Sequence, residues 1–88
     1  MKRIAVIAAI LENTTTARTR FNEVVFGYKH IIKGRMGLPF EEDDMAVVSL
    51  TVVGELDEIN ALTGKLGNLP DVTTKTAISE KTLGGQGQ

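Results

Sequence analysis

Arg3-Ile4-Ala5-Val6-Ile7-Ala8-Ala9-Ile10-Leu11 and Met45-Ala46-Val47-Val48-Ser49-Leu50-Thr51-Val52-Val53 decide the fold of this chain. Both runs are rich in β-branched residues and are apolar on both parities, as expected of central strands with something to cover on each side. If Ala5, Ile7, Ala9 and Leu11 point one way, then Ile4, Val6, Ala8 and Ile10 point the other. Val48, Leu50 and Val52 oppose Val47 and Val53 in the same manner. The apolar part of the first run, Ile4 to Leu11, follows Met1-Lys2-Arg3 and so has the flavour of a secretion signal. It is too short to span a bilayer, leads directly to Glu12 and Asn13, and has no small-residue cleavage pattern. A buried strand is the simpler reading.

Between the two runs the pattern changes period. Asn13 and Thr14 to Thr16 offer side-chain oxygens to the free N–H groups of a first helical turn. Ala17, Phe21, Val24, Val25 and Tyr28 then fall on one stripe, with Arg18, Arg20, Asn22 and Glu23 outward. This predicts a helix over 14–27, ending near Gly27. His30 to Leu38 reads as a half-buried edge strand in which Ile32, Met36 and Leu38 share a parity, with Pro39 ending it. Glu41, Glu42, Asp43 and Asp44 repel one another and favour an exposed turn. Gly54 is expected to break the second central strand. Ile59, Leu62 and Leu66 stripe a second helix over about 56–65, closed by Gly67 and Pro70. Val72 to Ile78, rich in threonine, is a last strand.

The order strand, helix, strand, strand, helix, strand is the split βαβ arrangement. It predicts an α+β, ferredoxin-like βαββαβ two-layer sandwich: a four-stranded antiparallel sheet in the order 4-1-3-2, with both helices on one face. Residues 1–78 form the domain, and 79–88, with glycines at 84, 85 and 87 and no apolar periodicity, are expected to be a flexible tail.

Eighty-eight residues allow a single core, and a large catalytic cleft would compete with it. Ten Lys and Arg against eleven Asp and Glu give a net charge of −1, without the basic excess of a nucleic-acid binder. The central strands carry no aromatics on which bases could stack. The absence of cysteine removes disulfides, thiolate metal sites and thiol nucleophiles, and suits a cytoplasmic protein without a membrane partner. His30 is the single histidine, so one chain cannot build a histidine metal site, and no metal or cofactor is expected. The acidic run 41–44 lacks the alternating ligand spacing of a calcium loop. Gly64-Lys65-Leu66-Gly67 lacks the rest of a phosphate loop and reads as a helix cap. No nucleophile and base are spaced as a pair among Ser49, Ser79 and His30, and an enzyme is not expected.

Two features remain. One helical layer covers one face of a sheet, so one apolar set of the central strands is left bare, and association of identical chains, as a dimer or a tetramer, is the expected cover. The other is Gly34-Arg35-Met36-Gly37. Two glycines within a strand suggest a bulge, a close backbone or a ligand against the main chain, and Arg35 can grip a carboxylate or phosphate with its fork. These four residues are the candidate ligand or subunit contact; a twisted edge strand at a subunit boundary is the plainer alternative.

Gly34-Arg35-Met36-Gly37-Leu38-Pro39-Phe40, with Met45-Ala46-Val47-Val48, Ile59 to Gly67, Val72 and Lys75, resembles a family named for regulation of the iron-only hydrogenase system. The likeness runs over residues 2–78. That family is similar in fold to ACT-like ligand-sensing domains and to the C-terminal domain of nickel-responsive regulators. The resemblance implies a regulatory or ligand-sensing role, with a small-molecule effector or hydrogenase-system proteins as partners. The nickel-responsive regulators hold their metal with several His and a Cys, whereas His30 stands alone here, so nickel sensing does not carry over. A structural interaction module without a ligand, or a DNA-binding regulator, are the competing readings.

Overall fold

The computed structural model describes residues 1–84. The elements run β1 (Lys2–Glu12), α1 (Thr14–Gly27), β2 (Ile32–Phe40), a short 3-10 turn (Glu41–Asp43), β3 (Met45–Glu55), α2 (Leu56–Gly67) and β4 (Val72–Ile78). The four strands form one sheet in the order β2-β3-β1-β4 with every neighbour antiparallel, as the sequence predicts.

The parity of the central strands settles which face is which. Ala5, Ile7, Ala9 and Leu11 of β1 and Ala46, Val48, Leu50 and Val52 of β3 are buried beneath the helices. They meet Ala17, Phe21 and Val25 of α1 and Ile59, Leu62 and Leu66 of α2 in one core. At roughly 1.5–3 kcal/mol for each fully buried large side chain, this cluster is the main source of stability. α1 rests on β1 and α2, and α2 rests on β4, β3 and β1.

Several boundaries differ from expectation, each for a local reason. β2 does not stop at Pro39 but runs through Phe40; on an edge strand the missing N–H can face the free side and costs no ladder bond. β2 begins at Ile32, because His30 lies in the turn after α1. A register shift between Ile32 and Gly34 leaves Lys33 as an extra residue. Ile32 therefore pairs with Val52 on the helix side while Met36 and Leu38 lie on the other, and the strand is exposed from Lys33 onward rather than half-buried. Gly54 stays inside β3, paired with Arg3. A Cβ there would sit 3.0 Å from Ile31 Cγ2, so the glycine admits a close neighbour instead of ending the strand. α2 continues to Gly67, where a Cβ would lie 3.0 Å from Thr74 Oγ1 of β4.

The first helix is not capped by its own Asn13, which has left-handed φ of 57° and makes no side-chain cap bond. Asp44, from the β2–β3 turn, takes that role. Its carboxylate Oδ1 accepts from Thr15 N at 3.1 Å and Thr15 Oγ1 at 2.9 Å, and its carbonyl accepts from Thr14 N at 2.8 Å and Thr14 Oγ1 at 3.0 Å. The turn thus ties the outer hairpin to α1. Of the expected tail, Ser79 donates its N–H to Ile4 O at 2.8 Å and Leu83 to Lys2 O at 2.7 Å, so the chain continues along β1. Residues 85–88 lie outside the described residues.

Candidate functional site

The face of the sheet away from the helices is the most distinctive surface of the molecule. Register places Ile4 beside Val53, Val6 beside Thr51, Ala8 beside Ser49 and Ile10 beside Val47. It then extends the row through Met36 beside Ser49, Leu38 beside Val47 and Phe40 beside Met45 on β2. Ile4, Val6 and Ile10 are 39, 43 and 42% exposed, and Met36, Leu38 and Phe40 are 65, 54 and 49% exposed. Among the paired residues of the described ladder the charge on this face is Lys75, opposite Ala8 on the β4 edge; Lys2, Glu12 and Glu55 stand at strand ends, and Lys33 sits in the β2 bulge. A contiguous apolar face of this kind on a small chain is the signature of an interaction surface.

The residues singled out within β2 do not converge on one point. Arg35 and Gly37, opposite Leu50 and Val48, share the helix side, whereas Gly34 and Met36, opposite Thr51 and Ser49, share the open side. Arg35 reaches over the sheet to α1, where Nη2 donates to Asn22 Oδ1 at 2.8 Å and the guanidinium lies 5.8 Å from the centre of the Phe21 ring. Asn22 is neutral, so the charge of Arg35 is not cancelled. Arg18, one turn before Asn22, joins Arg35, Gly37, Leu38 and Pro39 around a groove of about 240 Å³ whose floor is Ala46 and Val48. Arg18 and Pro39 also border a larger hollow of about 490 Å³ at the start of α1, beside Thr14, Thr15, Glu41 and Asp44. Among the described residues neither Arg18 nor Arg35 is in an ion pair, the pairs being Met1 with Glu55 and His30 with Glu58.

The groove exists because β2 presents only Gly37 and Pro39 toward α1 beyond Arg35, and nothing on the strand is bulky enough to meet the helix. Sequence reading found Arg35 but not its partners. Arg18 and Asn22 stand four apart and so lie on one face of α1, a spacing that was visible, but which strand that face would overlook was not.

His30 is engaged by a carboxylate. Its Nε2 lies 2.9 Å from Glu58 Oε2, and its ring stacks on Tyr28 at 6.4 Å between centres. Glu58 in turn accepts from Glu55 N at 3.2 Å at the start of α2. The His30 hydrogen bond first, and the Glu55 N–H second, hold the Glu58 carboxyl below its usual 4.5. Among the described residues no three His, Cys, Asp or Glu side chains gather as a metal site would require. No helix of the described residues is long and apolar enough to cross a membrane.

The comparisons agree with this build. None of the curated proteins matches the chain. The solved structure of the uncharacterized protein TM1266 from Thermotoga maritima is 31% identical, superposes with a TM-score of 0.86, and matches over 91% of this chain and 100% of that one. The sequence profile of the TM1266-like family, described as "Iron-only hydrogenase system regulator, putative", matches residues 3–76. With that span covering nearly the whole sheet and both helices, the chain belongs to the TM1266-like family of iron-only hydrogenase system regulators.

Proposed function

We propose that this chain is a non-enzymatic, homo-oligomeric regulatory module of the iron-only hydrogenase system, working in the cytoplasm and sensing a small anionic effector. The observation that carries the reading is the bare apolar face of Ile4, Val6, Ile10, Met36, Leu38 and Phe40. Water contact with such a row is unfavourable at roughly 25 cal/mol per Å², and a second copy offers the same row in return. Family membership supplies the system; the face supplies the mode of action.

The effector chemistry follows from the α1–β2 groove. Two guanidiniums that are in no ion pair among the described residues, over a floor of Ala46 and Val48, suit a carboxylate or phosphate group with a short apolar body. At about 240 Å³ and open to one side, the groove is small for a metabolite site on one chain alone, and a neighbouring copy would deepen it.

Native mass spectrometry of the protein purified from its own host tests the whole reading. It should give an integral multiple of the chain mass with a retained small anion, and the anion should be lost from Arg35→Ala. A single-chain mass would refute the oligomer. An oligomer that retains nothing, and that no small anion stabilises against heat, would leave a purely structural interaction module.

A further inference from the structure

The groove at Arg35 does not end where α1 first meets β2. Arg35 also borders a second hollow of about 280 Å³, lined with Asn22, Val25, Phe26, Lys29 and Ile32, so one guanidinium stands between two adjoining depressions. Either alone is below the roughly 300–1,000 Å³ of small-molecule sites, and joined they enter that range. Among the described residues no carboxylate lines either one, and Arg18, Lys29 and Arg35 are in no ion pair.

The order of groups along this trough follows from helix geometry. Arg18, Asn22 and Phe26 are spaced by four, so they share one side of α1 and rise about 6 Å per step, with Lys29 about 4–5 Å further on. Arg35 is pinned at the level of Asn22 by its 2.8 Å bond to Oδ1 and lies over the Phe21 ring, which fixes the plane of its fork while leaving other N–H donors to a ligand. Phe26 is 67% exposed, and Lys29 Nζ lies 4.5 Å from the centre of its ring. Two guanidiniums are thus followed, one helical turn on, by an exposed aromatic ring with a cation beside it.

We propose that the joined trough binds a purine nucleoside 5′-mono- or diphosphate. The phosphate lies in the forks of Arg35 and Arg18, the base stacks on Phe26, and Lys29 donates to acceptors on the base edge or the ribose. The proposal rests on the anion-sensing reading above and deepens it by naming the ligand class of the same site. Three observations select that class. A small carboxylate or free phosphate would use Arg18 and Arg35 and leave Phe26 idle in water, whereas a base has a π-face that stacks on such a ring. A ribose bridges the single turn from Asn22 to Phe26, and a purine covers more of the ring than a pyrimidine. Glu41 and Asp44 border the hollow on the far side of Arg18, so further negative charge is repelled there. That limits the phosphates and excludes a nucleic-acid strand, in keeping with the net charge of −1.

Isothermal titration calorimetry of the full chain with AMP, GMP, ADP and GDP, set against ribose 5-phosphate, tests the proposal, because ribose 5-phosphate keeps the sugar and phosphate and lacks the base. At least one of the purine nucleotides should bind about tenfold or more tightly than ribose 5-phosphate. Phe26→Ala should abolish that advantage and leave ribose 5-phosphate binding unchanged, and Phe26→Tyr, which keeps the ring, should retain it. Arg35→Gln should weaken both kinds of ligand by about tenfold or more. Phe26 and Arg35 are exposed, so the variants should fold, which their melting curves would verify. Equal affinities for nucleotide and ribose 5-phosphate, an advantage that survives Phe26→Ala, or wild-type binding by Arg35→Gln overturns the proposal. Equal affinities leave the anion-sensing reading standing. If none of these ligands binds, the proposal falls, and that reading falls with it only if inorganic phosphate and a panel of small carboxylates also fail to raise the melting temperature.

Discussion

Replacing Val6 by aspartate puts the covered-face argument under direct strain. Val6 lies in the middle of the open face, flanked by Thr51 of β3 and Ala77 of β4, and is 43% exposed. In an isolated chain the new carboxylate stays in water, and the loss of strand preference costs at most about 1 kcal/mol. In a face-to-face assembly the same carboxylate must lose its water against another apolar sheet, at no less than about 2 kcal/mol per copy. Symmetry places one in each copy, so the contact weakens by about 4 kcal/mol or more, a thousandfold in dissociation constant. Sedimentation velocity at a concentration where the wild-type protein is assembled should show Val6→Asp at half the wild-type mass, with a circular dichroism spectrum unchanged. Val6→Thr, of the same shape and uncharged, should stay close to wild type. An aspartate variant that sediments with the wild-type mass would refute the reasoning, because no sheet closes over paired carboxylates at that position without cost.

Other predictions concern the parts that hold the site in place. Asp44→Ala should lower stability by about 1–2 kcal/mol, since it removes the carboxylate that caps α1 and puts a Cβ-bearing residue without a side-chain acceptor at φ 53°. Asp44→Asn should cost less than half of that, and equal denaturation midpoints for the two would count against the cap. Gly54→Ala should destabilise by about 1–3 kcal/mol because its Cβ meets Ile31 Cγ2 at 3.0 Å, whereas Gly64→Ala, in the open middle of α2, should raise the melting temperature through about 0.5–1 kcal/mol. The reverse order would contradict the packing described. The Glu58 carboxyl should titrate below 4.5 by carbon NMR and move back toward that value in His30→Gln. Because the folded pKa is the lower one, the contribution is whole above the unfolded value and is lost as pH falls through the folded one. An unmoved Glu58 titration would mean that His30 is not its partner in solution.

How far the sequence went follows from which forces act locally. The bounds of α1 and β4, the sheet order and the two-faced character of β1 and β3 were all legible, because period and parity are written in adjacent residues. β2 was the weak point. One extra residue at Lys33 reverses which side every later residue faces relative to Ile32, and a bulge leaves no mark in hydrophobicity. Pro39 and Gly54 look like breaks in the sequence because composition records their usual cost, not the free edge or the close Ile31 that makes each one fit. Asp44 blends with its acidic neighbours into a solvated turn in the sequence, and its role on α1 spans 29 positions to Thr15 and 30 to Thr14. The Arg35 groove was half legible for the same reason: the guanidinium was visible in its motif, but Asn22 and Arg18 join it only through the third dimension.

Solvent paramagnetic relaxation of methyl groups, measured on the wild-type chain, reads directly whether the open face of the sheet is covered. Ile4, Val6, Ile10 and Leu38 methyls should be shielded nearly as well as those of the fully buried Ile7, while the 71% exposed Met1 should be strongly relaxed. Open-face methyls relaxed in proportion to their exposure on a single chain, at any concentration the protein reaches, would contradict a covered face.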